Sequence, residues 1–319
     1  MTTLSIAING STGLTWPLWK QLVDEIEPLG FHGLYVMDGL PHVLGDYTDS
    51  LEPMVALTYL AEHTERVQSG PVVALIAARD PVLLARQIMA VDELSGGRML
   101  LGLGAGGQSR MFGYGLGDGP DRFARLEEGL EVVTRLLRST EPVSFAGSFY
   151  QLEEAQLLPR PHRPHGIPIL VGGSGPKRTL PLVARYADIW NPQMLTPDTF
   201  RERAGQLDEL LRAEGRPPSA VKRTVNLRVA CGRSSEELEQ RVTPLRRLIP
   251  ALASMPLDGL LEMMRTNLGV LVGPPDVLIA HMRALSAAGA EEIIIEWGTP
   301  DDLAGIRVIA EEVLPHIQT

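Results

Sequence analysis

The chain lacks several features that mark particular classes of protein. Its 319 residues include one cysteine, Cys231, which excludes an intramolecular disulfide and a cysteine-ligated zinc cluster. No apolar run is long enough to span a bilayer, and the first ten residues lack the basic start and long apolar stretch of a signal peptide. The formal net charge is −10, whereas a nucleic-acid-binding protein usually presents a basic face. We therefore expect a cytoplasmic protein with neither nucleic-acid nor membrane partners.

Motifs for metal binding and for nucleophilic catalysis are also missing from the sequence. The seven histidines are scattered, with no HExxH pattern and no paired carboxylates at a ligand spacing, so we expect no metal site. No GxSxG elbow of a serine hydrolase is present. The pattern RPHRPHG, residues 160–166, is rich in proline and favours an extended surface loop.

What the sequence does have is a regular alternation of short apolar runs with amphipathic segments. Such alternation predicts a parallel sheet with crossover helices, an α/β fold. Eight repeats in this length favour a closed (β/α)8 TIM barrel, with an open doubly wound sheet as the alternative. We expect one domain over residues 1–319, with insertions on the connections at 114–120, 141–166 and about 233–273. The predicted strands cover residues 4–8, 33–37, 71–77, 98–104, 167–171, 188–191, 225–231 and 291–297.

A glycine-rich segment, VGGSGPKR at residues 171–178, follows the fifth predicted strand. Glycines let the backbone approach a ligand closely, and free amides at the start of a helix attract anions. One interpretation is a phosphate site, to which Ser174 adds a hydroxyl and Lys177 a positive charge. The alternative is an ordinary tight turn followed by solvated cations.

A second glycine-rich segment, LGLGAGG at residues 101–107, ends the fourth predicted strand. A strand end with so few side chains could hold a flat ligand against the backbone. The alternative is close packing of one backbone on another. A nucleotide-binding GxGxxG pattern can nearly be traced here, but no acidic residue follows at the required spacing.

Two polar residues after the second predicted strand are candidates for catalysis. Asp38 follows the strand directly and could be a catalytic acid, a ligand of a cofactor ring or a helix cap. His42 lies four residues further on. A lone loop histidine is more often a surface residue than a catalyst, so both interpretations stay open.

Four segments together resemble the luciferase-like superfamily, especially its branch that depends on the deazaflavin coenzyme F-420. Two signature blocks carry the resemblance, AVDELSGGRMLLGLGAG at 90–106 and IPILVGGSGPKRTLPLVARYADIWN at 167–191. The stretch at residues 30–38 and the one at 271–295 fit the family's second strand and its last helix and strand. The resemblance implies a TIM barrel, a homodimer and a small-molecule substrate.

The resemblance also implies a cofactor site. The loop from Gly172 to Pro176 corresponds to the family's phosphate site, and Gly104 to Gly107 correspond to the strand end that lines the ring. Val72 and Val73 match a bulge, often with a cis peptide, behind the ring, and Asp38 matches an aspartate near it. The expected cofactor-binding residues are Asp38, Val72, Val73, Gly104, Ala105, Gly106, Gly172, Gly173, Ser174, Gly175, Pro176 and Lys177.

Two departures from the family pattern affect the expected reaction. Gly39 and Gly107 stand where relatives often carry a histidine and a glutamate that handle protons, leaving Asp38 and His42 as the nearest catalytic candidates. Alcohol oxidation needs a base, so the departures favour reduction of an activated C=C or C=N bond, with hydride from F-420 (8-hydroxy-5-deazaflavin). The alternatives are an FMN-dependent monooxygenase, or a barrel that binds a ligand without redox chemistry.

Overall fold

The structure, a computed structural model, describes residues 2–39, 49–106, 121–158, 160, 163, 166–248, 252 and 254–318. Within these ranges the strands follow the alternating pattern of the sequence. They are β1 Thr3–Asn9, β2 Gly33–Met37, β3 Gln68–Pro71, β4 Ala74–Leu75, β5 Leu101–Gly104, β6 Val143–Ala146, β7 Gln151–Ala155, β8 Ile169–Gly172, β9 Ile189–Asn191, β10 Lys222–Cys231, β11 Leu271–Gly273 and β12 Glu292–Trp297.

Helices separate most of the strands, and several begin with a polar cap followed by proline. Asp80 caps α3, where its carboxylate accepts from the amides of Val82 and Leu83, as the sequence predicts. The helices are α1 Trp16–Ile26, α2 Pro53–His63, α3 Pro81–Leu94, α4 Arg122–Arg138, α5 Thr179–Tyr186, α6 Pro197–Ala213, α7 Ser235–Leu248, α8 Leu257–Thr266, α9 Pro275–Ala287 and α10 Leu303–Val308. No helix among the described residues is long and apolar enough to cross a membrane.

The parallel strands form a barrel. Their order is β3-β2-β1-β12-β10-β9-β8-β5-β4, and β3 and β4 are two consecutive pieces of one barrel strand. A parallel bridge between Ser69 and Met99 joins this strand to the start of the fourth barrel strand, so the sheet closes. The described strands therefore confirm the predicted eight-stranded (β/α)8 barrel.

Side chains alternate between the two faces of the barrel wall. Outward residues such as Ile6, Leu34 and Ile293 pack in the large core beneath the helices. Inward residues form a separate cluster, because successive residues of a strand point to opposite faces. The buried members of this inner cluster are Ala7, Tyr35, Val72, Leu100, Leu170, Ile189 and Ile294.

The sequence-based bounds of the third strand are wrong. The run at residues 71–77 was predicted as one strand, but β3 already ends at Pro71 and a 3₁₀ turn begins at Ile76. A short apolar run does not by itself distinguish a strand from another buried conformation. The predicted insertion at 233–273 contains α7 and α8, and the one at 141–166 contains the antiparallel β6–β7 hairpin, whereas 114–120 lies outside the described residues.

Candidate active site

The closed end of the barrel, where the strands begin, is sealed by a buried carboxylate with several partners. Glu292 is 1% exposed, and its Oε1 accepts from the hydroxyls of Ser5 (2.6 Å) and Tyr35 (3.0 Å). Its Oε2 accepts from Lys222 Nζ at 2.6 Å. Burial and the neighbouring Glu292 charge raise the pKa of Tyr35 well above its ordinary value. This end is built for stability, as is usual in such barrels.

The open end, where the strands finish, has a different lining. Here glycines and neutral or charged polar side chains replace most of the apolar residues of the middle layers, and Met37 is the apolar exception in the set below. Register with the inner cluster assigns these residues to the inside of the wall: Asn9, Met37, Gly104, Gly172, Asn191, Asn226, Arg228 and Glu296. In (β/α)8 enzymes the ligand site lies at this end.

The glycines of the fourth strand are required by close packing. A Cβ at Gly102 would clash with the carbonyl oxygen of Pro71, and one at Gly104 would lie 2.6 Å from Val73 Cγ2. A Cβ at Gly172 would lie 3.0 Å from Val73 Cγ1. The close packing of one backbone on another is therefore confirmed at Gly102, whereas Gly104 packs against the side chain of Val73. A ligand at this wall would meet the half-buried Val73 side chain rather than bare glycine backbone.

Asp38 fixes the segment that carries Val73. The peptide bond between Val72 and Val73 is cis, as the resemblance implies. Asp38 Oδ2 accepts from the amide of Leu75 at 3.0 Å and from Arg79 Nε at 2.6 Å, and Oδ1 accepts from Arg79 Nη2 at 2.8 Å. The hydrogen bonds with Asp38 raise the pKa of Arg79. Both carboxylate oxygens are thus engaged in holding the turn in place.

The glycine-rich loop from Gly172 to Lys177 presents backbone amides without partners. Gly173 is anchored, since its amide donates to Asn191 O (2.9 Å) and its carbonyl accepts from Trp190 Nε1 (2.8 Å). Among the described residues, no acceptor lies within hydrogen-bonding distance of the amides of Ser174, Gly175, Lys177 and Arg178. Such a run of free donors before α5 fits an anion such as a phosphate.

The two cations at the end of this loop differ in how available they are to bind an anion. Lys177 is exposed and has no ion-pair partner in the described part of the chain. The Arg178 guanidinium lies 5.2 Å from the ring centre of Phe123 near the start of α4. Lys177 is therefore the more available of the two for an anion in the loop.

Three polar residues on β10 point into the barrel and were missed by the sequence reasoning. Thr224 accepts from Asn191 Nδ2 at 2.7 Å, and Arg228 Nε donates to Glu296 at 3.0 Å. Asn226, between them, is 1% exposed, and neither its Oδ1 nor its Nδ2 has a hydrogen-bond partner among the described residues. Their spacing of two in the strand sequence TVNLRVA is the signal that could have identified them.

Some of the remaining residues from the sequence analysis lie in the described ranges and others do not. His42 and Gly107 lie outside the described residues. Gly39 lies inside them, and a Cβ there would be 2.9 Å from Ser11 Oγ, so Ser11 occupies the space beside Gly39. Ala105 and Gly106 continue from β5 towards Leu75. Cys231 is buried, which raises the pKa of its thiol to about 11.

The site contains no candidate metal centre in the described ranges. No group of three or more histidine, cysteine, aspartate or glutamate side chains there could hold a metal ion. The geometry instead combines an apolar half-buried wall at Val73, an anion-binding loop and an inward polar strand. This combination makes the open end of the (β/α)8 barrel the candidate site for a small molecule.

The sequence places the chain in a particular family of such barrels. The family model described as luciferase-like monooxygenase matches residues 7–305, which is nearly the whole chain. The chain therefore belongs to the luciferase-like monooxygenase family, and the resemblance identified in the sequence is confirmed.

Curated relatives include both monooxygenases and deazaflavin-dependent enzymes. A 4-hydroxyprotoasukamycin monooxygenase from Streptomyces nodosus subsp. asukaensis is 33% identical over 172 residues, 53% of this chain and 45% of that protein. An F420-dependent glucose-6-phosphate dehydrogenase from Amycolatopsis mediterranei (strain U-32) is 24% identical over 291 residues, 81% of this chain and 82% of that protein. At 33–34% identity, the chain spans about half the length of the curated relatives it matches.

Solved structures share the fold over the full chain. An F420-dependent secondary alcohol dehydrogenase in complex with an F420–acetone adduct superposes with a TM-score of 0.81, at 20% identity and 100% coverage of both chains. The monooxygenase RslO1 from Streptomyces bottropensis gives a TM-score of 0.80, at 22% identity and 99% coverage of both. At these identities the likeness concerns the fold alone.

Proposed function

We propose that the protein is an oxidoreductase that uses a deazaflavin of the F420 type to reduce an activated C=C or C=N bond in a small organic substrate. One observation carries the proposal. Gly172 joins a loop of unpartnered amides to an apolar wall at Val73, so a phosphate and a flat ring of one ligand have adjoining places. Relatives named as F420-dependent enzymes support this choice of cofactor.

The residues present fit such a cofactor. The free amides of Ser174, Gly175 and Lys177 would hold a phosphate, with the Lys177 ammonium adding charge. Val72 and Val73, held by Asp38 through Leu75 and Arg79, would support the ring. Gly104, Ala105 and Gly106 would lie beside it.

When bound, the cofactor supplies a hydride at its ring and the protein supplies orientation and a pocket with little water. The side chains favour reduction over alcohol oxidation. Alcohol oxidation needs a base within hydrogen-bonding reach of the hydroxyl, and Asp38 has both oxygens engaged by Arg79 and Leu75. A reduction can instead take its proton from water at the open end of the barrel.

The alternative is an FMN-dependent monooxygenase. The relative in Streptomyces nodosus subsp. asukaensis, a monooxygenase at 33% identity, favours it. The same loop and wall would fit FMN, because both cofactors combine a tricyclic ring with a phosphate. A homodimer, expected from the family resemblance, is part of either proposal.

The test is a titration of the purified apoprotein with oxidised F420 and, separately, with FMN, followed by fluorescence quenching. We expect tighter binding of F420. Equal or tighter binding of FMN would support the monooxygenase, and binding of neither would favour a barrel without redox chemistry. Assays with reduced F420 on enones and cyclic imines, and with oxidised F420 on alcohols, then test the direction. Efficient alcohol oxidation would contradict the proposed reduction.

A further inference from the structure

Asn226 is a buried carboxamide whose hydrogen bonds are all unmade. It is 1% exposed, yet in the part of the chain that the structure describes neither Oδ1 nor Nδ2 has a partner, a rare state that reduces the stability of a folded protein. Asn191, on the neighbouring strand, provides a contrast. It is 2% exposed and its Nδ2 donates to Thr224 Oγ1 at 2.7 Å. The unmade bonds of Asn226 are therefore a property of this position and not of asparagines in the barrel.

The direction of the Asn226 side chain follows from the register. Asn226 pairs with Ile294 on β12, and Ile294 belongs to the inner cluster of the barrel. The flanking residues Val225 and Leu227 pack in the outer core. Because residues paired in neighbouring parallel strands share a face, the carboxamide points into the barrel.

The strand order places this carboxamide opposite the apolar wall. β10 is the seventh strand of the barrel and the strand that carries Val73 is the third, and strands four apart in a closed ring of eight face each other. A flat group that rests on Val73 therefore turns its other face towards the side of Asn226. A substrate that accepts hydride at that face would lie between the ring and β10.

Resting on the proposed function, we propose that Asn226 is a catalytic residue that recognises the amide group of an α,β-unsaturated amide or lactam substrate. Since both a donor and an acceptor of Asn226 are unused, its complement carries an acceptor and a donor side by side, which is the pattern of an amide. Asn226 Nδ2–H donates to the substrate carbonyl oxygen, and Oδ1 accepts from the substrate N–H.

The same hydrogen bonds assist the reaction. The substrate β-carbon gains a hydride from the reduced deazaflavin, and the electron pair of the C=C bond moves towards the carbonyl oxygen. Nδ2–H stabilises the negative charge that develops there, and a proton from water then adds to the α-carbon. The substrate gains two electrons and two hydrogens, and the deazaflavin is oxidised by two electrons. An asparagine cannot act as the base that alcohol oxidation requires.

The first test compares Asn226→Leu with the control Asn191→Leu by thermal unfolding of the apoprotein. Leucine has a similar branched shape and no polar atoms, so replacing Asn226 removes unmade hydrogen bonds and should raise Tm by about 2–4 °C. Asn191→Leu should lower Tm, because it breaks a bond and leaves Thr224 without its donor. A lower Tm for both variants would overturn the proposal, since it would mean that an internal water satisfies Asn226 in a structural role.

The second test uses an unsaturated five-membered lactam and the matching lactone, which has the same shape without the N–H. The wild-type protein with reduced F420 should prefer the lactam, and Asn226→Leu should lose this preference with a kcat roughly 100-fold lower on the lactam, while its Kd for F420 stays unchanged. Equal preference in wild type and variant would overturn the inference alone. If the wild type binds no F420, the proposed function and this inference both fail. If the leucine variant does not fold, Asn226→Ser replaces it in this test, and its preference for the lactam over the lactone should be lost in the same way.

Discussion

The two ends of the barrel interior treat buried polar groups in opposite ways. At the closed end, the Glu292 carboxylate is satisfied by Ser5, Tyr35 and Lys222. At the open end, the Asn226 carboxamide has no partner, and several loop amides after Gly173 are equally unpartnered among the described residues. Buried polar groups without hydrogen-bond partners reduce stability. Proteins keep such groups where a bound ligand supplies the missing partners. The difference separates the end of the barrel that holds the fold from the end that we propose binds the ligand.

The largest expected effect lies at the closed end. Glu292→Ala removes the acceptor that serves two buried hydroxyls and Lys222, and breaking a buried ion pair in this way costs about 3–5 kcal/mol. Lys222 is 33% exposed and can turn to water, so the loss should fall near the lower value. Urea unfolding followed by tryptophan fluorescence measures it. Glu292→Gln, which keeps an acceptor, should lose less, and an unchanged midpoint for the alanine variant would show that this cluster does not hold the fold.

A smaller loss of stability is expected at the wall between the two ends. Gly102→Ala places a methyl group against the carbonyl oxygen of Pro71, and such overpacking costs roughly 1–3 kcal/mol. Gly205→Ala, in the middle of α6 with open space around the position, is the matched control and should gain roughly 0.5–1 kcal/mol from helix propensity. Opposite signs in the two unfolding curves support the packing account, and a stable Gly102→Ala variant would refute it.

The smallest effect is a dependence of stability on pH. Burial and Glu292 raise the pKa of Tyr35 above its ordinary value of 10.0. The stabilisation is therefore complete below pH 10 and is lost as the pH rises further, because only the unfolded chain then releases the proton. Tyr35→Phe removes this slope. We expect the free energies of unfolding of wild type and variant to converge above pH 10, and parallel curves between pH 9 and 11 would contradict the assignment.

The elements that form the barrel were predictable because they depend on local pattern. Strand β2 has the bounds that its apolar run predicts, and α3 begins at the expected Asp80 cap. The interruption after Pro71 was not predictable from the apolar pattern, since Val72 and Val73 are as apolar as the strand around them, and it was the family resemblance that indicated a bulge there. The roles of Gly102 and Gly104 depend on contacts with distant residues, which the sequence does not contain.

The candidate site was predictable in its loop and not in its opposite wall. The glycines at 172, 173 and 175 stand out by composition, whereas Asn226 is one polar residue in an apolar strand and becomes informative only when its hydrogen-bond partners are known. The structure also shows that one glycine of the loop is required by its backbone conformation. Gly173 has a φ of +117°, a conformation that other residues rarely adopt, so a substitution there would combine strain with any effect of charge.

Ser174 avoids that difficulty and gives the most direct test of the open end as the binding end. Ser174→Asp places a carboxylate among the free amides of the loop, and Ser174→Asn has the same shape without the charge. If the loop receives the cofactor phosphate, the aspartate variant should bind F420 roughly 10- to 100-fold more weakly, because charge-assisted hydrogen bonds are worth about 1.5–3 kcal/mol. The asparagine variant should stay close to wild type, and both should unfold at the same temperature. Equal affinity of the two variants for F420 would contradict the account.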